Sequence, residues 1–301
     1  MQHSEIKQDW IIPMSDPQIS FEFFPPSNLE GSFRLWDTVQ TLAPLEPRFV
    51  SVTYGAGGTT RDLTRDAVKA IHSSSGLTVA AHLTCVNATK SETLEIADGF
   101  AKAGVRDIVA LRGDAPKGSD GFQPVENGFQ NSCELIQALS ETGAFNIRVG
   151  AYPEPHPDAQ DMAQNIDWLK RKIDAGASEA LTQFFFEAET FLRFRDACAA
   201  AGIAAPITPG ILPIENWQGT KRFAARCATT IPAWVDYAFE KAQRDNRSDL
   251  LATAICAELC SELLDEGVEA LHFYTLNRPE LTRDVCAALG ITLKPSLRKV
   301  A

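Results

Sequence analysis

Seven cysteines occur (Cys85, Cys133, Cys198, Cys227, Cys256, Cys260 and Cys286), an odd number with no CxxC pair among them. No His or Cys cluster stands near Cys256 and Cys260 to complete a metal site, so zinc-ribbon and dithiol-redox centres are set aside. The expected role is that of small apolar core residues kept reduced, which points to the cytoplasm. Positive charge is also scarce. Lys and Arg number 28 against 39 Asp and Glu, for a net charge of −11. Nucleic acid and anionic membrane, which need clustered cations, are therefore poor partners. The opening "MQHSEIKQDW" has no charged-then-apolar signal layout, and no apolar run reaches membrane-spanning length. There is no internal repeat, linker or low-complexity tract. No GxGxxG turn follows an early strand, which argues against a doubly wound dinucleotide-binding sheet.

What is present is a rhythm. Of the 301 residues, 45% are hydrophobic, enough for a substantial core. Short apolar runs recur at 18–24, 49–54, 78–84, 107–113, 147–152, 179–186, 206–212 and 269–276, each followed by a longer amphipathic stretch. Strands alternating with helices predict parallel pairing with crossover helices. Eight such units in about 270 residues predict an α/β (β/α)8 TIM barrel. Helices are expected at 91–104, 166–177 and 189–202, closing at Gly104, Gly176 and Gly202. The first opens with Ser-x-x-Leu rather than a full capping box. Residues 1–17 read as a preamble and 18–301 as one catalytic barrel. The segment 213–268, punctuated by Pro213 and Pro232, reads as two or three extra helices between the seventh and eighth strands.

In such barrels chemistry takes place at the C-terminal strand ends. There the sequence sets Glu22 before Pro25-Pro26, then Thr53-Tyr54-Gly55, His82 and Thr84, Arg112-Gly113-Asp114, Tyr152 with Glu154 and His156, Gln183, and Asn277-Arg278. That gathering exceeds what a purely structural barrel requires and indicates an enzyme. The stretch "ISFEFFPP" (19–26) poses the sharpest question, because a carboxylate sits inside a run of phenylalanines. Strand alternation puts Phe21 and Phe23 on one face and Glu22 on the other. With the phenylalanines under the helices, Glu22 points into the barrel mouth. Two readings are open there. Partial burial raises its pKa and makes it a general acid, or it pairs with an Arg or Lys across the mouth. The "KRK" run at 170–172 alone reads as a solvated helix face, His82 alone as a core histidine, and His156 alone as a loop residue.

The motifs "SFEFFPP", "SVTYGAGG", "HLTC", "IVALRGD", "AYPEPHP", "LKRKIDAGA", "TQFFF", "PGILP" and "HFYTLNR", in this order over about 18–290, resemble those of the methylenetetrahydrofolate reductases. The resemblance implies an FAD enzyme that takes hydride from NADH or NADPH and passes it to methylenetetrahydrofolate, ping-pong through one site, giving 5-methyltetrahydrofolate. The same residues would serve the oxidative direction, and a non-catalytic folate- or flavin-binding barrel is the reading of another class. By resemblance, Glu22 is the general acid and Asp114 the carboxylate near flavin and pterin. Gln183 bonds the pterin edge, while Phe223 and Arg278 hold the folate tail or nicotinamide. The flavin contacts implied are Thr53, Tyr54, His82, Arg112, Gly113, Asp114, Tyr152, His156, Arg171 and Lys172. A homo-oligomer is expected by the same analogy. The chain departs from the family pattern at Asn131, where a Tyr is usual, at Asn165, where an Asp is usual, and at Gly219, where a Gln is usual.

Overall fold

Eight strands close a parallel barrel in sequence order: β1 (Gln18–Phe23), β2 (Phe49–Val52), β3 (Val79–Thr84), β4 (Asp107–Leu111), β5 (Asn146–Ala151), β6 (Glu179–Phe184), β7 (Ile207–Ile211) and β8 (Ala270–Tyr274). β1 pairs with both β2 and β8, which seals the cylinder. The computed structural model describes residues 17–55, 60–114, 118 and 121–293. The expected preamble, apart from Pro17, and residues 56–59 of the "SVTYGAGG" motif lie outside the described residues.

Six helices follow the first six strands: α1 (Leu29–Leu42), α2 (Arg61–Ser75), α3 (Lys90–Lys102), α4 (Ser132–Glu141), α5 (Met162–Asp174) and α6 (Ala188–Ala200). The segment between β7 and β8 forms three, α7 (Trp217–Cys227), α8 (Ala233–Arg244) and α9 (Ser248–Asp265), and α10 (Pro279–Ala288) follows β8. One local expectation is corrected. α3 does open on a full capping box, built from Thr89 rather than Ser91. The Thr89 hydroxyl accepts from the Glu92 N–H at 3.2 Å, and the Glu92 carboxylate accepts from the Thr89 N–H at 2.8 Å. The motif Thr-x-x-Glu starts two residues before the stretch read as helical, so the helix is anchored earlier than its apolar pattern shows.

Alternation along the strands makes two separate cores. Outward residues such as Phe21, Phe23, Val50, Val52 and Phe273 are fully buried between sheet and helices. The apolar cluster inside the barrel is small, comprising Phe49, Ala80, Val109 and Leu181 with Leu111 against it. Toward the N-terminal ends the interior is filled by charge. Arg148 donates to Asp107 at 2.6 Å and to Glu179 at 2.8 Å, and its guanidinium lies 3.8 Å from the Phe49 ring centroid. Glu179 also accepts from Arg48 and, at 2.7 Å, from the Thr208 hydroxyl. A buried charge is tolerated only when its partners satisfy it in this way. Glu179→Ala leaves Arg148 buried with a single counter-ion, and a loss of about 3–5 kcal/mol is expected in urea unfolding.

Candidate active site

The opposite end of the barrel is built around Glu22. Its strand neighbours are set by register, with Ser20 beside His272 and Glu22 between Ser51 and Tyr274. The end of β1 is then pinned from β8. The Thr275 hydroxyl donates to the Glu22 carbonyl at 2.7 Å. The Asn277 amide accepts from the Phe24 N–H at 2.8 Å and donates to the Phe24 carbonyl at 2.9 Å, imitating a strand pair. Leu276 and Asn277 reach this position through left-handed backbone, φ 50° and 55°, a conformation rare for a leucine.

Glu22 Oε2 lies 3.3 Å from His82 Nε2 and 3.8 Å from His272 Nε2. Both rings are buried, and neither Nε2 has a hydrogen-bond partner within ordinary distance and angle among the described residues. On its far side, His272 Nδ1 meets the Ser20 hydroxyl at 2.8 Å. Burial pushes the Glu22 carboxyl up, but the two histidines, through polar contact and charge, outweigh it and bring the group down to about 2. Burial also pushes His272 down, against the pull of Glu22, so near neutral pH its polar ring rather than a full positive charge supports the carboxylate.

The sequence reading is corrected here in two respects. The direction of the Glu22 shift is downward, and the partners are histidines instead of the Arg or Lys considered. Neither histidine stands near Glu22 in sequence, so only the barrel's closure brings the three together.

Glu22 lines a chamber of about 460 Å³ together with Thr53, His82, Gln183, Phe223 and Tyr274. A second chamber of about 560 Å³ is lined by Arg112, Gly113, His156, Asn165 and Lys172. The two share Tyr54, Gly55, Leu111, Asp114, Gly150, Ala151 and Tyr152, forming one continuous cleft. Lys172 donates to the Gly150 carbonyl at 2.8 Å, and burial lowers it to about 8. Arg112 pairs with Asp158 at 2.7 Å and stands over the Phe122 ring. Gly113 has φ +88°, and an added Cβ would fall 2.8 Å from a Val86 methyl, so the backbone lies where only glycine fits. The Tyr152 and His156 rings meet edge to face at 4.6 Å. Gln183 Oε1 accepts from the Phe184 N–H at 3.0 Å, and Phe223 stacks on Phe184 at 5.1 Å.

Twelve of the fourteen site residues named from sequence line this cleft, and two do not. Arg171 is exposed, pairs with Asp167 at 2.7 Å and covers Trp168. Successive residues on a helix point about 100° apart, so Lys172 facing inward turns Arg171 out. Arg278 pairs with Glu215 at 3.1 Å beyond the cleft walls. The departures have structural roles. Asn131 caps α4 through the N–H groups of Cys133 and Glu134. Asn165 donates to the Tyr152 carbonyl at 2.7 Å and accepts from the His156 N–H at 3.4 Å, tying down that loop. Asn216 caps α7 through the Gly219 N–H at 2.7 Å. Sequence reasoning missed Ser20, His272 and Tyr274. Their signal was the same alternation that found Glu22, applied to β8.

A depressed carboxyl contributes stability that is present above its unfolded pKa and lost as pH falls through the folded one. Wild type should therefore shed stability between pH 4.5 and about 2. Glu22→Gln should lose on the order of 3 kcal/mol less across that window, read from urea unfolding at stepped pH.

Among the described residues no helix is long and apolar enough to cross a membrane, and no group of three His, Cys, Asp or Glu could hold a metal. All seven cysteines are free. A solved protein from Clostridium thermocellum, whose title says that it binds two copies of 5-methyl-5,6,7,8-tetrahydrofolic acid, shares the fold. Its TM-score is 0.57 at 16% identity, covering 92% of this chain and 94% of that one. The 5,10-methylenetetrahydrofolate reductase of Salmonella typhimurium is 44% identical over 91% of this chain and 90% of its own. That of Escherichia coli is equally similar, 44% over 91% and 90%. The probable methylenetetrahydrofolate reductase (NADH) of Oryza sativa is 35% identical over 90% of this chain, which spans 48% of it. The family model for methylenetetrahydrofolate reductase matches residues 8–290, and with relatives this similar over nine-tenths of its length the chain belongs to that family.

Proposed function

We propose that the protein reduces 5,10-methylenetetrahydrofolate to 5-methyltetrahydrofolate with NADH or NADPH, through FAD held in the cleft, as a cytoplasmic homo-oligomer. The observation that carries this is one interior carboxylate, Glu22, in a chamber that opens directly into a larger, cation-bearing one. Both chambers fall in the size range of small-molecule and cofactor sites.

The residues fit a flavin dinucleotide. Lys172 and Arg112 offer positive charge toward a pyrophosphate, which would take over Arg112 from Asp158. Gly113 gives close backbone approach, while Gly150 and Ala151 leave room for a planar ring against Tyr152 and Leu111. Bound there, FAD supplies hydride transfer, first from the nicotinamide and then to the one-carbon group of the folate.

The chain's own residues manage charge and protons. Gln183 offers its amide to the pterin edge, and Phe223 offers a face for stacking. As the five-membered ring opens to an iminium cation, Glu22 gives a proton to the departing nitrogen. Because Glu22 is ionised in the resting protein, it must first take that proton up. Covering the carboxylate with an aromatic ring strips water from it and favours the neutral acid. Once the proton has left, the carboxylate returns to the form that His82 and His272 stabilise, facing a cation of opposite sign. Asp114, at the neck between the chambers, adds negative charge toward that cation.

Anaerobic spectra of the FAD-loaded protein test this. A flavin band that NADH bleaches and methylenetetrahydrofolate restores is expected. Protein that takes up no flavin, or whose bleached flavin ignores the folate, overturns the reading. In Glu22→Gln the folate-driven return should slow by at least about 10²-fold while bleaching by NADH persists. Equal loss of both steps would remove the acid role. Lys172→Met should weaken FAD binding roughly tenfold, measured by flavin fluorescence on titration.

A further inference from the structure

β6 and β7 lose register between the cleft and the barrel floor. Leu181 pairs with Thr208 and Phe184 with Gly210, so residues 182 and 183 stand against residue 209 alone. That residue is Pro209; the Gly210 N–H beside it faces β6, so the proline nitrogen faces β8 and withholds nothing from the β6 ladder. The extra residue bulges, and bulges near active sites re-aim side chains. What is re-aimed here is the Thr182 carbonyl, which leaves the ladder, while the next residue, Gln183, keeps the inner face it shares with Glu179 and Leu181 and lines the Glu22 chamber.

The bulge is held by three groups. The Tyr274 hydroxyl crosses from β8 and donates to the Thr182 carbonyl at 2.5 Å. The Gly210 N–H donates to the Thr182 hydroxyl at 2.9 Å, a side chain standing in for the missing ladder bond. Gly210 must be glycine, because a Cβ there would fall 2.1 Å from the Thr182 carbonyl oxygen and 2.6 Å from the Tyr274 ring. Tyr274 therefore passes over a backbone cleared for it.

We infer that Tyr274 is a positioning residue, which through its bond to the Thr182 carbonyl at the Pro209 bulge aims the Gln183 amide at the bound folate. The inference rests on the folate reading above and extends it to a residue outside the catalytic set. Burial, with the charge of Glu22 next, holds the Tyr274 hydroxyl protonated and so keeps it a donor at working pH.

The test is a double-mutant cycle of Tyr274→Phe with Gln183→Ala, read as KM for methylenetetrahydrofolate and as dissociation constants for tetrahydrofolate by calorimetry. Tyr274→Phe alone should raise both constants roughly three- to tenfold, and should change them little once Gln183 is alanine. A crystal structure of Tyr274→Phe should show the Gln183 amide turned from its wild-type direction. An equal effect in both backgrounds, or none in either, overturns the inference. Should Tyr274→Phe not fold, 4-fluorophenylalanine placed at Tyr274 takes its part in the cycle with the same expectation, since it fills the tyrosine's space without a donor for the Thr182 carbonyl. If wild type binds tetrahydrofolate but turns nothing over, the proposed reaction fails while the binding cycle still decides the role of Tyr274. Wild type that binds no folate overturns both.

Discussion

A closed parallel barrel allows each strand only alternate residues on its inner face, and everything in this molecule follows from how that narrow allowance is spent. The wide apolar side chains go outward, under the helices. The inner face keeps only a small apolar cluster, with Phe49 at its base. Above and below that cluster the interior is polar. Below, the charges cancel one another: Arg148, Glu179, Asp107 and Arg48 form a closed network. Above, they do not cancel, because Glu22 faces imidazoles and open cleft. The same geometry thus produces a closed end and an open one.

Glu22 owes its state to neighbours that are far away in the chain. His82 comes from β3 and His272 from β8, and His272 is in turn set against Ser20, two residues before Glu22 on β1. A carboxylate poised this way is stable as an anion at rest and must be driven to take a proton. In the proposed reaction, that places control of proton uptake in whatever covers the cleft, since desolvation is the force opposing the histidines.

The barrel was legible in the sequence because its signals are local: apolar runs of strand length, helical stretches between them, and glycine at several helix ends. Eight strands were expected and eight occur among the described residues, each within two residues of its expected ends. Glu22 was legible in place, since two outward phenylalanines leave it one direction to face. Its charge state was not, because that depends on His82 and His272 arriving by closure of the sheet. Lys172 and Arg171 show the same limit on a smaller scale. Their adjacency in a basic run says nothing of which one the helix turns toward the cleft. The capping box of α3 was readable at Thr89 and Glu92, but lay ahead of the apolar pattern used to find the helix.

Gly210 carries a consequence for how this barrel could change over time. Its N–H goes to the Thr182 hydroxyl, and the space a side chain would fill is where the Tyr274 ring reaches the Thr182 carbonyl. Any Cβ at that position would meet the carbonyl oxygen and the ring at once. Alternation along β6 would persist, so Gln183 would keep its inner face beside Leu181. What would be lost is the strut crossing from β8, and with it the fixed course of the backbone that carries Gln183. The two positions are therefore free to change in one order only: a lineage can exchange Tyr274 while Gly210 stays, but not Gly210 while Tyr274 stays.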